Sequence, residues 1–431
     1  MIVKESEKLG LAELIAIGVG GMIGGGIFSV LGLAVSISGH AAPLAFAIGA
    51  LIALSAGYSY VRLALAYRGD GSSYTYLRHA FPAHPWVAGI TGWAVIVGYI
   101  GTLALYAFTF GAYGAHLIGD DGSATERMVL SAGALLFFMV INLKGVRETG
   151  ATQDLVVYGK IIILALFGIV GLMSVKSEYL LPVFDKGVSG VFMAAALIFV
   201  AYEGFQLITN AMDESRDPER NIPRGIYASI LIASTIYITL ALVAVGNLTP
   251  AEITAAEEYA LASVAQPIMG NVGIVLVDLA ALLATSSAIN GTLFGASRLM
   301  AVIAKQSMMP AALTRRSESG IPWVGVLTLT VFGVLFTVAG SLDAIAAFSS
   351  MTFLLVSFGV SIANLRLRQR TGCTCWIVIS GMVLMMSTMV MLCAYLWLHN
   401  RATLYLILGL YLLVFTAERL FNRFRTGERM S

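Results

Sequence analysis

The sequence predicts an all-α integral membrane protein with twelve transmembrane helices, of which the first and the sixth are broken. Three observations support this prediction. Of the 431 residues, 58% are hydrophobic and only 12% are charged, whereas about a quarter of the residues of a soluble domain are charged. The apolar residues fall into runs of roughly 20 residues, the length that crosses a bilayer. Two of these runs carry glycines at their centres.

The twelve apolar runs are separated by polar segments and are the candidate membrane spans. They lie at approximately Leu11–Ser36, Pro43–Tyr67, Trp86–His116, Met128–Leu143, Leu155–Val175, Gly190–Met212, Pro223–Gly246, Val272–Ile303, Ile321–Ala339, Ile345–Leu365, Trp376–Leu396 and Leu404–Phe421. The charged start of the chain has no signal-peptide cleavage pattern, so we expect the first run to remain as a span.

Lys and Arg are distributed unevenly between the two sides of the predicted membrane. Four of the 26 fall on one side (Arg127, Lys176, Lys186 and Arg401), Lys160 falls within a span, and the remaining 21 fall on the other side. Because cytoplasmic segments carry the excess of basic residues, both termini are predicted to be cytoplasmic. We therefore expect a multi-pass protein of the cytoplasmic membrane.

Two connecting segments are predicted to be structured. Residues 72–81 are polar and aromatic and have the length of a short helix on the cytoplasmic side. Residues 249–266 begin with Thr-Pro-Ala-Glu, a typical helix start, and contain three Glu but no Lys or Arg. We place this second segment outside, as a lid.

The broken spans also predict how the single transmembrane domain, residues 1–431, is organised. No repeat is visible in the sequence itself. The pairing of broken spans one and six predicts two five-span halves of opposite orientation, at about residues 11–175 and 190–365. Two added helices, at about residues 376–421, would follow them. Interrupted spans at matching places in two halves indicate the substrate site of a transporter.

The first break is a glycine cluster in the middle of span one. Six glycines occur from Gly18 to Gly26, and each disfavours a helix by roughly 1 kcal/mol relative to alanine. A helix that stops and restarts presents free N–H groups and its positive dipole end, which favour a carboxylate. Small residues also serve close helix packing, but this density of glycine favours a ligand-binding break.

The second break, residues 201–206 (AYEGFQ), lies in the middle of span six. A carboxylate at this depth is costly unless it is solvated, paired or protonated. Glu203 is therefore predicted either to contact substrate or carry a proton, or to be a paired structural acid. Tyr202 and Phe205 could gate the site or simply pack. Together the breaks could hold a zwitterion, with the carboxylate on the first and the amine on the second.

Lys160 is the basic residue that lies well inside a span. It is a few residues from the inner end of span five, so it could extend to the cytoplasm. The alternative is a buried amine, which burial favours in its neutral form. Such a group could exchange a proton during each transport cycle.

Span eight carries further polar residues, and the sequence around them says less about their role. For Asp278, a polar contact between helices is the favoured role. Thr285, Ser286, Ser287 and Asn290 could either line a cation site or close a helix contact.

Three motifs, in this order, resemble those of the amino acid–polyamine–organocation superfamily. Residues 21–28 (GMIGGGIF) are similar to its first-span motif, residues 202–205 (YEGF) to its sixth-span motif, and residues 214–224 (ESRDPERNIPR) to the segment after span six. The resemblance extends to about Leu365. The chain also resembles the prokaryotic, proton-coupled, sodium-independent amino acid transporters, which carry a lysine in span five, as Lys160 does here.

The resemblance implies a substrate site at the two breaks of a five-plus-five inverted repeat. The substrate carboxylate would meet the backbone of residues 24–26, and the amine would meet the carbonyl groups of Met22, Val200 and Glu203. Glu203 departs from the apolar residue often found at its position, so a cationic substrate stays an open alternative. The implied substrate-binding residues are Met22, Ile23, Gly24, Gly25, Gly26, Val200, Ala201, Tyr202, Glu203 and Phe205.

The resemblance also implies a proton-coupling site. Lys160 would occupy the place at which sodium-coupled relatives bind their cation, near Gly20, Ser286 and Ser287. A fixed positive charge there argues against bound sodium.

The leading functional prediction is secondary active transport of an amino acid by alternating access, coupled to protons and independent of sodium. The alternatives are an amine or polyamine permease or exchanger, and a membrane sensor that binds without transporting. An enzyme is not expected, because no HExxH or GxSxG motif occurs. No cofactor, metal or nucleic acid is expected. The expected partners are the amino acid, protons and the lipid bilayer, and no oligomeric state is predicted.

Overall fold

The protein is helical throughout the part of the chain that the structure describes. The computed structural model describes residues 8–67, 73–119, 123–145 and 150–428. Every regular element in these ranges is a helix, apart from one isolated bridge between Leu9 and Ser215. Four of the basic residues used to predict the orientation, Lys4, Arg68, Arg147 and Arg429, lie outside the described residues.

The α-helices are numbered here in chain order. They are α1 Leu11–Met22, α2 Gly26–Ser38, α3 Ala42–Ala66, α4 Ser73–Ala80, α5 Pro85–Ile118, α6 Ala124–Lys144, α7 Gly150–Met173, α8 Gly187–Leu197, α9 Leu207–Asn210, α10 Pro218–Asn247, α11 Pro250–Ala255, α12 Ala260–Lys305, α13 Trp323–Ala339, α14 Leu342–Arg366, α15 Arg368–Thr371, α16 Cys375–His399 and α17 Arg401–Glu428. Short 3₁₀ helices include Ile198–Tyr202 after α8 and Glu257–Tyr259 after α11.

The membrane-spanning character predicted from the sequence is confirmed. Among the described residues, ten helical segments are long and apolar enough to cross a membrane, and one of them, Gly26–Ala66, joins α2 to α3. α1 and α13 are shorter apolar helices of 12 and 17 residues. The chain is therefore an all-α, multi-pass membrane protein, while the count of twelve spans stays a prediction.

Local sequence explains where several helices begin and end. Proline stands in the first turn of α3, α5, α10 and α11, where its missing N–H is not needed. The Thr249 side chain accepts from the Glu252 N–H, and the Glu252 carboxylate accepts from the Thr249 N–H, which forms a capping box at the start of α11. Gly119 and Gly145 end α5 and α6 in the left-handed conformation.

The two structured connections have different forms. The predicted short helix of residues 72–81 corresponds to α4, Ser73–Ala80. The predicted lid begins with α11 and then continues into α12. α12 is a long helical segment interrupted at Gly270, where φ is 61°.

Contacts at the two ends of the bundle agree with the predicted sidedness of the loops. The Leu9 N–H donates to the Glu214 carbonyl and the Arg216 N–H donates to the Leu9 carbonyl, both at 2.8 Å. At the other end, His40 Nδ1 lies 3.0 Å from an Asp185 carboxylate oxygen. The start of α1 thus lies beside the segment that follows α9, and away from the connection between α7 and α8.

Candidate substrate site at the two helix breaks

The two breaks are in direct backbone contact at the centre of the bundle. The chain leaves helical geometry between α1 and α2, and again before α9, where Gly204 has a φ of 140°. A Cβ added at Gly21 would lie 2.9 Å from the Gly204 Cα, and one added at Gly204 would lie 2.5 Å from the Gly21 carbonyl carbon. Only two facing glycines allow the backbones to approach this closely.

The glycines of residues 24–26 are packed against other helices. A Cβ at Gly25 would lie 2.7 Å from Cδ1 of Tyr106, and one at Gly26 would lie 2.7 Å from the Ala201 Cα. The N–H groups at the start of α2 have no partner within the helix. The Tyr106 ring thus packs on this backbone, and Tyr106 also lines the cavity described below.

The second break carries side chains that fix its shape. The Gly204 N–H donates to the Gln206 Oε1 at 3.0 Å, and the Gln206 Nε2 donates to the Glu203 carboxylate. Glu203 is 6% exposed. Among the described residues no Lys, Arg or His forms a salt bridge with it. The break thus presents an acid that has no basic partner in the described part of the chain.

Tyr237 of α10 ties the two breaks together. Its hydroxyl lies 2.7 Å from the Met22 carbonyl oxygen and 2.9 Å from the Ala201 carbonyl oxygen. Both carbonyl groups belong to chain ends that the breaks leave without a full set of helical bonds. A single hydroxyl proton is shared between the two acceptors, so Tyr237 sets the spacing between the breaks.

A cavity of about 560 Å³ adjoins both breaks. It extends from Glu203 to Glu214 and Arg298, towards the end of the bundle that carries the start of α1. Its lining residues are Ile17, Gly20, Gly21, Tyr99, Thr102, Tyr106, Glu203, Gly204, Gln206, Leu207, Glu214, Ser287, Ala288, Asn290, Gly291, Thr292, Phe294 and Arg298. The Arg298 guanidinium lies on the Phe294 ring, 3.3 Å from its centroid.

Lys160 lies on α7, and its side chain is buried against α1. Its side chain is 1% exposed, and its Nζ donates to the Gly20 carbonyl at 3.2 Å. Val157, one turn earlier, would contact a Cβ at Gly20 at 3.0 Å. Ser287 lines the cavity, whereas Ser286 does not. The amine therefore contacts the first break from behind the cavity wall rather than extending to the membrane surface.

The predicted lid segment packs on α5 and α6 at the end of the bundle away from the cavity. Glu258 forms an ion pair with Arg127 of α6. The Tyr259 ring stacks on His116 of α5, with 4.5 Å between centroids. His116 Nδ1 lies 2.9 Å from Oδ2 of Asp278, which is fully buried. Asp278 thus makes a polar contact between helices, as its favoured interpretation predicts.

The remaining polar residues of span eight contribute to packing and to the cavity. Asn290 lines the cavity, and its Oδ1 accepts from Asn142 Nδ2 at 2.7 Å. Of the two roles left open for Asn290, a cation site or a helix contact, the contact with α6 is the one observed. Thr285 is buried and its hydroxyl donates to the Ala281 carbonyl at 2.7 Å.

The predicted gating aromatics are packed in this conformation. The Tyr202 hydroxyl donates to the Phe46 carbonyl at 2.7 Å. The Phe205 ring lies 5.6 Å from the Tyr60 ring. Both side chains are fully buried and neither lines the cavity.

Apart from Lys160 and Ser286, which are placed above, the predicted residues fall into two groups. Glu203, Gly20 and Ser287 line the cavity. The residues that are buried beside it and do not line it are Met22, Ile23, Gly24, Gly25, Gly26, Val200, Ala201, Tyr202 and Phe205.

The sequence analysis did not identify the residues of α5 that line the cavity. Tyr99, Thr102 and Tyr106 line the cavity, and their spacing places them on one face of a helix. That polar stripe in an otherwise apolar span is the signal that could have found them.

The chain belongs to the amino acid permease family, whose model matches residues 9–404. This match agrees with the resemblance to the amino acid–polyamine–organocation superfamily drawn from the three motifs. The family and the relatives are transporters, so the chain is a membrane transport protein and not an enzyme.

Three relatives illustrate the range of this similarity. The chain is 30% identical to an uncharacterized protein of Methanocaldococcus jannaschii, over 97% of this chain and 96% of that protein. It is also 30% identical to the inner membrane transport protein YbaT of Escherichia coli, over 98% of each. It is 26% identical to the branched-chain amino acid permease BcaP of Bacillus subtilis, over 84% of this chain and 81% of BcaP.

Proposed function

We propose that the protein is a secondary active transporter that moves amino acids across the cytoplasmic membrane by alternating access, driven by protons and without sodium. The observation that carries the proposal is the contact of two broken helices beside a polar cavity, in a chain of the amino acid permease family. Unwound backbone at membrane depth is tolerated where it is buried in protein or lines such a cavity.

The proposed substrate site uses the backbone of the first break and the carbonyl groups of both. The carboxylate binds the N–H groups of residues 24–26, at the start of α2, where the helix dipole favours a negative charge. The amine binds near the carbonyl groups of Met22, Val200 and Glu203. Because Tyr106 covers Gly25 in this conformation, its ring moves aside when substrate binds.

The proposed coupling group is Lys160. A charged Lys160 donates to the Gly20 carbonyl, as the 3.2 Å contact supports, and to Ser286 or Ser287. A neutral Lys160 weakens this link between α7 and the first break. Loss and gain of a proton would thereby change the stability of one conformation relative to the other.

The proposed topology has twelve spans. Residues 11–175 and 190–365 form two inverted five-span repeats, and residues 376–421 form two added helices. Both termini are cytoplasmic, so the cavity in this conformation faces the cytoplasm. A Pro218→Cys variant tests this orientation, because a thiol reagent applied outside intact cells should not label it. Efficient external labelling would contradict the topology.

A second candidate function, the transport of amines or polyamines, is favoured by one observation. Glu203 lines the cavity without a basic partner among the described residues, and such an acid attracts a cation. Against it, BcaP is named for branched-chain amino acids, which carry no charged side chain. Exchange and ligand sensing without transport are the remaining alternatives.

Uptake by purified protein in liposomes tests the proposed function. Radiolabelled amino acids should accumulate when the outside is more acidic than the inside, and only equilibrate when the two sides have equal pH. A sodium gradient should not replace the pH gradient. Binding of amino acids without any uptake would instead indicate a sensor, and uptake of amines alone would indicate the second candidate function.

A further inference from the structure

A second groove of about 560 Å³ lies on the outer surface of the bundle, between α5, α14 and α17. Its walls include Ile90, Leu355, Leu408, Leu412 and Phe415, and it shares no lining residue with the substrate cavity. Leu412 is 64% exposed. In a membrane protein, such a surface faces lipid rather than water.

The polar atoms of the groove already have partners within the protein. The Thr91 hydroxyl donates to the Val87 carbonyl at 2.9 Å. The Thr352 hydroxyl donates to the Phe348 carbonyl at 2.7 Å and lies 3.1 Å from the Tyr411 hydroxyl. The groove therefore offers a hydrocarbon surface, which fits an acyl chain and does not fit a polar solute.

Two arginines continue the helix faces that form the groove. Arg419 follows Phe415 by four residues on α17, and Arg366 follows Gly359 by seven on α14, so each lies on the same face as the groove residue before it. The Arg419 Cζ lies 4.8 Å from the Trp86 ring centroid.

The second arginine is held in a similar way, with the Arg366 Cζ 4.7 Å from the Phe81 ring centroid. Both guanidinium groups are thus anchored on aromatic rings at the end of the groove that the proposed topology places in the cytoplasm. An anchored guanidinium loses less freedom when it binds a phosphate.

We propose that this groove binds an anionic phospholipid of the inner leaflet, with an acyl chain along the groove and the phosphate at the end that carries Arg366 and Arg419. Basic side chains at the cytoplasmic surface attract anionic lipids. A second copy of the chain is a poorer occupant, because a two-fold contact would bring the same two arginines against each other.

Native mass spectrometry of the full-length protein tests the headgroup part of the proposal. The protein is presented with equal amounts of phosphatidylglycerol and phosphatidylcholine, and the bound lipid is counted. The unmodified protein should retain phosphatidylglycerol preferentially. The double variant Arg366→Gln, Arg419→Gln should lose that preference by about 25-fold, at about fivefold for each arginine.

A matched control lies at the other end of α17. The Arg401 guanidinium lies 5.0 Å from the Trp397 ring centroid, so Arg401→Gln removes the same kind of arginine–tryptophan contact away from the groove. This variant should retain phosphatidylglycerol like the unmodified protein. Equal loss in Arg401→Gln and in the double variant would overturn the proposed position of the phosphate.

The acyl-chain part is tested by filling the groove. Leu412→Trp should reduce lipid retention, whereas Leu413→Trp should not, because Leu413 is as exposed (62%) but does not line the groove. Equal retention of the two lipids by the unmodified protein, or a dimer without bound lipid, would refute the proposal. The readout is bound lipid, so it does not depend on whether amino acids are transported.

Discussion

The two helix breaks differ in the chemical groups that they present. The first, between α1 and α2, consists of glycine backbone packed against Tyr106 and Ala201. The second presents the side chains of Glu203 and Gln206 to the cavity. A backbone surface offers N–H and carbonyl groups, which suit what all amino acids share, the carboxylate and the amine. A side-chain surface can distinguish one substrate from another, so recognition and selection would be divided between the two breaks.

The largest effect is expected from Gly25→Leu, which blocks the backbone site proposed to bind the carboxylate that all amino acids share. A Cβ at this position already lies 2.7 Å from Tyr106, and a leucine side chain would block the backbone N–H groups. Substrate affinity should fall by at least about 100-fold, which corresponds to nearly 3 kcal/mol. Isothermal titration of purified protein measures the loss for neutral and cationic amino acids alike.

Gly133→Leu is the matched control for this variant. It makes the same substitution in α6, where an added Cβ meets nothing within 4 Å. Affinity should be unchanged, and both proteins should be obtained in comparable amounts. Normal binding by a folded Gly25→Leu variant would remove the first break from the site.

Lys160→Ala should separate binding from coupling. The amine contacts the Gly20 carbonyl and does not line the cavity, so substrate affinity should change by less than about fivefold, within roughly 1 kcal/mol. Accumulation driven by a pH gradient should be lost, while exchange of labelled for unlabelled substrate persists.

The comparison for Lys160→Ala is Lys176→Ala, which removes a lysine that follows the C-terminal end of α7 and does not line the cavity. That variant should accumulate substrate like the unmodified protein. If the Lys160→Ala variant still follows the pH gradient, the proton is carried elsewhere, and Glu203 and Asp278 become the next candidates.

Glu203→Gln should change the preference between cationic and neutral amino acids more than the affinity for amino acids in general. The substitution keeps the size of the side chain and removes a carboxyl group that lines the cavity and can carry a negative charge. Cationic amino acids should bind about tenfold more weakly, because a hydrogen bond to a charged group contributes roughly 1.5–3 kcal/mol. Neutral amino acids should be affected little. An equal loss for both classes, with a changed pH dependence of uptake, would assign Glu203 to proton transfer instead.

Tyr237→Phe should give the smallest effect on binding and a measurable effect on stability. The change removes the hydroxyl that joins the Met22 and Ala201 carbonyl groups. A buried carbonyl left without a donor costs about 1–3 kcal/mol, so the midpoint of thermal unfolding should fall. Phe46→Leu, which loses ring contact with Tyr237 but no hydrogen bond, provides the comparison for packing alone.

The sequence was most informative where backbone chemistry leaves a compositional mark. Six glycines within nine residues predicted the first break, and Glu203 beside Gly204 predicted the second. What it could not supply was which side chains of other helices reach the breaks. The polar stripe of α5 marks Tyr106 as a residue that faces inward, but only the packing of α5 and α10 brings Tyr106 against Gly25 and Tyr237 against Met22.

The lid illustrates the same limit. The Thr-Pro-Ala-Glu start predicted α11, because capping is local chemistry. The partners of the segment were not predictable, since the Arg127–Glu258 pair and the stacking of Tyr259 on His116 join residues far apart in the sequence. Local signals therefore fixed the elements, and tertiary packing decided the contacts.

Competition between an amino acid and its decarboxylated amine tests the central claim most directly. The two ligands share a side chain and an amine, and they differ in the carboxylate assigned to the first break. We predict that the amine competes with labelled amino acid at least about 100-fold more weakly than the amino acid does, and that Gly25→Leu removes most of this difference. Equal competition by the two ligands would contradict a carboxylate site on the first break.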